Sequence, residues 1–296
     1  MRTQEFNYRY PGIRAFETEE KKLFFGRKDE IRKLYSLVKS KSLVVVFAKS
    51  GTGKSSLINA GIIPLLEKKQ FFPIKIRFQD TDIPPVLAVK QAIKPYINNQ
   101  QLSRQSKTFD NASLWECIRA CQFGEEELPI TPIFIFDQFE EFFDHSVENQ
   151  NVLTLEIADL ISERLPIKVQ EEFRSIPRAQ RTEEQKNWYR TIDIKFIFAI
   201  RSDRIHQLDE LSEDIPIILH ERFHLKPMKH EQAREAIIAP AQLLDDNFET
   251  PPFRYSESTL EKILQFLSNK NQEVESFQLQ LICRNIEKNI KDQDYG

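Results

Sequence analysis

The apolar positions of this chain fall into three patterns, and each predicts a different element. Ile31, Leu34, Tyr35 and Val38 recur at i, i+3, i+4 and i+7, so residues 28–39 read as an amphipathic helix. Three short apolar runs, 43–47, 133–136 and 196–200, show no alternation, which suits parallel strands buried on both faces. Phe72, Ile74, Ile76 and Phe78 instead alternate with Pro73, Lys75 and Arg77, the pattern of a half-exposed edge strand. Residues 1–25 form an extended, aromatic-rich lead, and residues 80–131 read as loops and helices, among them 113–122. A further helix is expected from near Thr154. The charged stretch 163–190, broken by Pro166 and Pro177, reads as a surface insertion, helical in part.

From about Met228 the pattern becomes helical only. Ser258 and Glu261 have capping-box spacing, and Leu260, Ile263, Leu264 and Leu267 make one apolar face. Leu279, Ile282, Cys283, Ile286 and Ile290 make another. Strands alternating with helices, followed by helices alone, predict an α/β domain over residues 1–227 with a small helical lid over 228–296.

Between the run 43–47 and a helical pattern over 56–68 lies Ala48-Lys49-Ser50-Gly51-Thr52-Gly53-Lys54-Ser55. A G-x-x-x-x-G-K-[ST] pattern in a strand–loop–helix context predicts a phosphate-binding loop, with Ala48 standing for the first glycine. Such a loop wraps phosphate oxygens in consecutive backbone N–H groups at a helix N-terminus, where the donors are unpaired and the dipole favours negative charge. Only seven glycines occur in 296 residues, and two of them fall here, where a side chain would block approach to phosphate. The expected nucleotide cradle is therefore residues 48–56, from Ala48 to Ser56. Lys54 supplies the cation for the β/γ-phosphates, and the Ser55 hydroxyl ligates magnesium.

A magnesium shell also needs a carboxylate. Asp137 closes the apolar run 133–136, as a Walker B strand does, and is the expected second ligand. The next residue is Gln138, which can orient a water but cannot take its proton. Glu140 and Glu141 are then the candidate bases, and spacing does not choose between them. Turnover is expected to be slow. Arg201 closes the next buried run and could sense the γ-phosphate; spacing equally allows a surface ion pair with Asp203 or Glu221.

Composition narrows the partners. A net charge of −3 with 40% apolar residues describes an ordinary globular chain with no global field for nucleic acid or anionic lipid. No apolar run reaches bilayer length and no signal-peptide pattern opens the chain, so a cytoplasmic protein without membrane contact is expected. Cys117, Cys121 and Cys283 lack C-x-x-C spacing and read as buried free thiols. His220-Glu221-Arg222-Phe223-His224 matches the H-E-x-x-H zinc pattern, but Pro227 follows closely and Phe223 and Leu225 alternate as in a strand. A strand would separate the two histidines by about 13 Å, too far to share one zinc. Arg222 is a candidate finger toward a neighbour's γ-phosphate.

Taken together, Tyr10-Pro11-Gly12-Ile13-Arg14-Ala15-Phe16, Phe24-Phe25-Gly26-Arg27 with Glu30, the phosphate loop, Asp137-Gln138-Phe139-Glu140-Glu141 and Leu225-Lys226-Pro227 resemble the novel STAND NTPase group. These are P-loop signal-transduction ATPases related to AAA+ and NLR proteins. The resemblance spans essentially the whole chain. It implies an α/β fold with a parallel sheet in order 5-1-4-3-2 sandwiched by helices, a C-terminal helical lid, and ATP or ADP with Mg2+ as cofactors. It places Phe25, Gly26 and Arg27 against adenine and gives Arg201 the sensor role. It further implies a nucleotide-dependent switch that self-associates and engages an effector or sensor protein, in bacterial signalling or antiphage defence. Ser276 departs from the family's lid proline, which is brought toward the nucleotide. The chain ends after the lid pattern, as would a core module, a piece of a longer protein, or a protein that borrows other parts from partners. Two other classes remain: an AAA+-like ATPase of DNA metabolism, against which the weakly acidic composition argues, and a scaffold that binds nucleotide without hydrolysing it.

Overall fold

The computed structural model describes residues 8–97, 109–121, 130–162, 165–177, 180–181 and 193–294. Helix α1 (Lys28–Ser40) leads into strand β1 (Leu43–Ala48). Helix α2 follows in three parts: an α turn Lys54–Ser56, wider π turns Leu57–Ile62, and an α segment Ile63–Glu67. Pro64 lies just beyond the π turns; it lacks an N–H and its ring crowds the preceding turn, so an irregular ladder here has an identifiable cause. Strand β2 (Phe71–Ile76), α3 (Pro85–Ile93), α4 (Leu114–Arg119) and β3 (Thr131–Asp137) come next. Helices α5 (Val147–Ile161) and α6 (Ile167–Ser175) precede β4 (Lys195–Arg201) and β5 (Arg222–His224). The chain closes with β6 (Met228–Lys229), α7 (His230–Ala241), α8 (Glu257–Leu267), β7 (Glu273–Val274) and α9 (Ser276–Asp294).

The five larger strands form one parallel sheet in the order β2-β3-β4-β1-β5, the expected 5-1-4-3-2 read from the other edge. The three unalternating runs occupy its interior strands β3, β4 and β1, and Ile133 to Asp137 pairs in parallel with Lys195 to Ala199. β2 is the edge strand its alternation predicted, pairing on one side with β3. Helix α5 starts at Val147 rather than near Thr154. The Ser146 hydroxyl accepts from the Asn149 N–H at 3.4 Å and so caps the helix a full two turns earlier. The cap of α8 is likewise Ser256, which accepts from Thr259 N at 3.2 Å, and not Ser258. The lid also holds a two-stranded antiparallel ribbon, β6 with β7, that the helical pattern hid. Of the expected insertion over 163–190, α6 lies among the described residues and the greater part of the rest outside them.

Contacts divide the chain into two compact units. The first is Met1–Ser36, Phe47–Leu66 and His224–Gly296; the second is Leu37–Val46 and Glu67–Phe223. The phosphate-loop residues and the lid helices therefore belong to one unit. That unit's core is Tyr10 with Ala233, Ala236 and Ile237 of α7, Leu260 and Leu264 of α8, and Leu279 and Cys283 of α9. The lead is bound into it: the Tyr10 hydroxyl donates to Ile237 O, and the fully buried Arg9 pairs with Glu287 of α9 at 3.0 Å. Farther along, Phe16 N donates to Ser56 Oγ at 3.2 Å and Asn59 Nδ2 donates to Phe16 O at 3.0 Å, fastening the lead to α2. The second unit is built on aromatic rings. Phe136 lies 5.1 Å from Phe198, and Phe139 lies 4.6 Å from Phe198 and 4.8 Å from Phe142. Each such buried ring contributes about 1.5–3 kcal/mol.

Candidate phosphate-binding site

β1 is buried along almost its whole length, so its C-terminal end is a fixed platform. From Ala48 the chain turns through Gly51 (φ +78°) and Gly53 (φ +99°), the latter being the N-cap residue of α2. Both glycines adopt left-handed backbone, which costs other residues about 1–2 kcal/mol each. Lys54 opens the helix with its side chain largely buried, and Nζ donates to Ala48 O at 3.4 Å. Ser55 and Ser56 complete the first turn. The Thr52 hydroxyl is buried without a hydrogen-bond partner, a cost of about 1–3 kcal/mol for an orphaned polar group. Left-handed glycines, an interior lysine, the start of a helix and an unpartnered hydroxyl together fit a polyphosphate.

The outward-facing carbonyls of the loop are occupied by the lid. Gly51 O accepts from Phe277 N at 3.1 Å, and Thr52 O accepts from Ser276 Oγ at 2.9 Å. Thr52 O also takes a hydrogen bond from Arg27 Nη2 at 3.1 Å, and the same nitrogen reaches Ser276 Oγ at 3.1 Å. A Cβ on Gly51 would meet Phe277 Cβ at 3.3 Å, and one on Gly53 would meet Ser276 Cβ at 3.7 Å. Gly51 thus also makes room for the first turn of α9, a role the rarity of glycine in the sequence did not reveal, whereas a Cβ on Gly53 would be in ordinary contact.

The Phe25-Gly26-Arg27 segment also packs against the lid. Gly26 has φ +80°, and a Cβ there would come closer than 3.0 Å to the Gln232 carbonyl of α7. The close backbone approach is to α7. Arg27 is 2% exposed; besides the loop and Ser276 it binds Lys226 O at 2.9 Å and Glu30 at 3.3 Å. Burial lowers its pKa, and Glu30 pulls it back up; a guanidinium still keeps its charge.

In the second unit, Asp137 ends β3 and is 3% exposed, with Lys75 Nζ at 3.2 Å from its carboxylate. Gln138 turns into left-handed backbone (φ 57°) and starts a 3-10 helix, Phe139–Asp144. Arg77 binds both the Gln138 side chain and Glu141. Burial raises the Glu141 pKa, with Arg77 opposing. Glu140 accepts from the backbone N–H of Arg201 at 3.2 Å. The Arg201 guanidinium is paired with Asp203 at 2.8 Å, the surface pair that spacing had left open, and it pulls the Asp203 carboxyl below the usual range. Lys75 and Arg77, which the sequence marks only as polar positions of the edge strand, are the cations that reach Asp137 and Glu141. Their i, i+2 spacing on the alternating edge strand was the available signal, since it puts both on one face.

The zinc pattern fails on geometry: Glu221 lies in a bend after a turn and 222–224 is strand, so no helix aligns the two imidazoles. His224 stacks on Phe47 at 4.6 Å. Among the described residues no group of His, Cys, Asp and Glu could hold a metal ion by itself. Cys117 and Cys283 are buried and Cys121 is half-buried. Nor is any helix among the described residues long and apolar enough to cross a membrane.

Residues 10–255 match the family described as Novel STAND NTPase 1. No curated protein matches the chain. The fold is similar to the Walker-type ATPase Paby2304 of Pyrococcus abyssi, with a TM-score of 0.50 and 13% identity over 95% of this chain and 73% of that one. It is also similar to the Aeropyrum pernix ORC1 protein, solved in complex with DNA, with a TM-score of 0.54 and 10% identity over 91% of this chain and 61% of that one. The Aeropyrum pernix ORC2 protein, solved as ADPNP–ADP complexes, gives a TM-score of 0.51 and 14% identity, with coverage of 94% and 63%. The chain thus spans about three-fifths of the length of the ORC proteins it matches.

Proposed function

Because the chain belongs to the novel STAND NTPase 1 family, we propose that it is an ATP-binding module whose lid helices switch position with the bound nucleotide. One observation carries this reading. The first turn of α9 is hydrogen-bonded to the carbonyls of the glycine loop, so a change in the loop reaches a 19-residue helix directly. The roles follow from chemistry. Backbone N–H groups of residues 48–56 bind the phosphates, Lys54 neutralises them, and Ser55 and Asp137 ligate Mg2+. Phe25, Gly26 and Arg27 border the base. Gln138 orients a water that Glu140 or Glu141 activates, and Arg201 leaves Asp203 for the γ-phosphate. With no acid directly after Asp137, hydrolysis is slow.

The lid rests closed with ADP and reopens on exchange for ATP, exposing a surface for self-association in a signalling or antiphage-defence protein. Moving such a switch from 1:99 to 99:1 takes about 5.5 kcal/mol of differential binding. Charge-assisted γ-phosphate contacts are of that class. Mass in solution, measured with ADP and with a non-hydrolysable ATP analogue, tests the switch: a larger species with the analogue alone supports it, and identical masses with bound nucleotide refute it.

A second reading, an ATPase acting on DNA, draws support from the Aeropyrum pernix ORC1 protein having been solved in complex with DNA. Stimulation of ATP turnover by duplex DNA, falling steeply with salt, would favour it over the switch.

A further inference from the structure

A phosphate loop works only if its N–H groups face inward, which forces its carbonyls outward. Carbonyls turned away from the ligand need donors of their own. Here those donors come from two elements far away in sequence. Gly51 O is served by Phe277 N, and Thr52 O by Ser276 Oγ and Arg27 Nη2. Arg27 also holds Ser276 Oγ, so the guanidinium, the hydroxyl and the Thr52 carbonyl form a closed triangle with sides of 2.9, 3.1 and 3.1 Å. A second pair of bonds, from Arg27 to Lys226 O and Glu30, fixes the guanidinium from behind. Arg27 is thereby pre-organised for one task, and its planar fork suits it.

We propose that Ser276 and Arg27 are positioning residues that couple the lid to the nucleotide through the main-chain carbonyls of Gly51 and Thr52, with no need for the lid to touch the nucleotide. Docking of α9 holds the two peptide planes that flank Thr52, so that the Thr52 N–H closes the loop onto Lys49 O at 3.4 Å and the Gly53 N–H is turned toward the phosphates. Undocking takes the donor from the Gly51 carbonyl and leaves the Thr52 carbonyl with Arg27 alone, and the planes relax. By linkage, whatever docking adds to nucleotide affinity, nucleotide adds to docking. A serine at position 276 is suited to this: a proline side chain has no polar atom, whereas a hydroxyl can donate to the loop carbonyl while accepting from Arg27. The inference rests on reading residues 48–56 as the nucleotide cradle.

The test compares the full chain with Ser276→Ala, Ser276→Thr and Arg27→Lys. ADP affinity is measured by calorimetry, and hydrogen exchange of the amides over residues 51–55 is followed with no nucleotide present. Ser276 is the first residue of α9, so removal of its hydroxyl leaves the helix start intact. Ser276→Ala is expected to weaken ADP binding about fivefold, the worth of one hydrogen bond. It also speeds ligand-free exchange over 51–55, and Ser276→Thr restores both to within twofold. Arg27→Lys keeps the charge but loses the fork, and follows the alanine variant.

Unchanged affinity and exchange in Ser276→Ala overturn the proposal. So does weaker ADP binding with ligand-free exchange unchanged, since that result means the hydroxyl meets the nucleotide itself. If the wild-type chain binds no ADP, the reading of the cradle fails, whereas the exchange experiment still decides whether the lid shapes the loop.

Discussion

Gly26→Ala perturbs the structure at a point where the cost can be worked out. Two terms add. The backbone at Gly26 has φ +80°, a region that costs a residue with a side chain about 1–2 kcal/mol. The new Cβ would also come within 3.0 Å of the Gln232 carbonyl and to 3.3 Å of Ala236 Cβ. The first of these neighbours is helical backbone, which cannot step aside as a flexible side chain can. Overpacking of this kind costs about 1–3 kcal/mol. The sum is about 2–5 kcal/mol.

Gly61→Ala is the control. A Cβ there meets Ile31 Cγ1 at 2.8 Å, a side-chain atom and not backbone, and no positive φ is involved. Overpacking against the stiff Ile31 side chain costs about 1–3 kcal/mol and alanine regains about 1 kcal/mol over glycine within a helix, so this variant should lose about 0–2 kcal/mol, less than Gly26→Ala. Urea unfolding midpoints at constant slope measure both. Equal losses in the two variants would refute the argument that the Gly26 backbone lies tight against α7. Because Arg27 follows directly, Gly26→Ala should also weaken ADP binding, and Gly61→Ala should not.

Other variants test other parts. Glu287→Gln removes the charge facing Arg9, whose guanidinium also binds Thr250 Oγ1 and Leu243 O, and should cost about 3–5 kcal/mol by urea unfolding. The double variant Arg9→Met with Glu287→Leu should recover most of that loss; no recovery would mean that the lead depends on more than this pair. Glu141→Gln should lower ATP turnover at least about a hundredfold, the range of general-base catalysis, and Glu140→Gln much less, because the Glu140 carboxylate is held by the Arg201 N–H. Burial raises the Glu141 pKa, so as base it loses activity as pH falls through a value above the ordinary glutamate range; a turnover profile flat down to the ordinary range would exclude it. Burial pushes the thiols of Cys117, Cys121 and Cys283 up to about 11, 12 and 12. The thiolate is the reactive form. Alkylation at pH 8 should therefore be slow in the folded chain and complete on unfolding.

Much of this fold was legible because its signals are local. A continuous apolar run marks a strand covered on both faces, and Leu43 to Phe47, Ile133 to Phe136 and Phe196 to Ile200 all lie in such strands. Alternation at Phe72 to Phe78 marked the sheet edge, and the glycine-lysine loop marked the turn into α2. Elements set by a single side chain were misplaced. Ser146 and Ser256 start their helices by accepting one backbone N–H each, which periodicity does not report. The ribbon of Met228–Lys229 with Glu273–Val274 was hidden because its partners are 45 or so residues apart and each only two residues long.

The loop's surroundings were the least legible. Ser276 departs from the lid proline that the resemblance brings toward the nucleotide, and its hydroxyl binds the Thr52 carbonyl. A main-chain carbonyl leaves no mark in a sequence, so neither Ser276 nor Arg27 could be assigned to one by pattern. Arg77 is marked only as a polar edge position for a related reason. On an edge strand it reads as a solvated cation, and only the sheet order and the turn at Gln138 bring it to Glu141.

The central claim is that residues 48–56 hold an adenine nucleotide through its phosphates. Calorimetric titration of the wild-type chain and Lys54→Ala with ADP in Mg2+ tests it most directly. One site per chain is expected in the wild type, with affinity lowered at least about tenfold when the lysine's charge-assisted bonds to phosphate are removed. Equal binding by both proteins, or no heat from either, would contradict it.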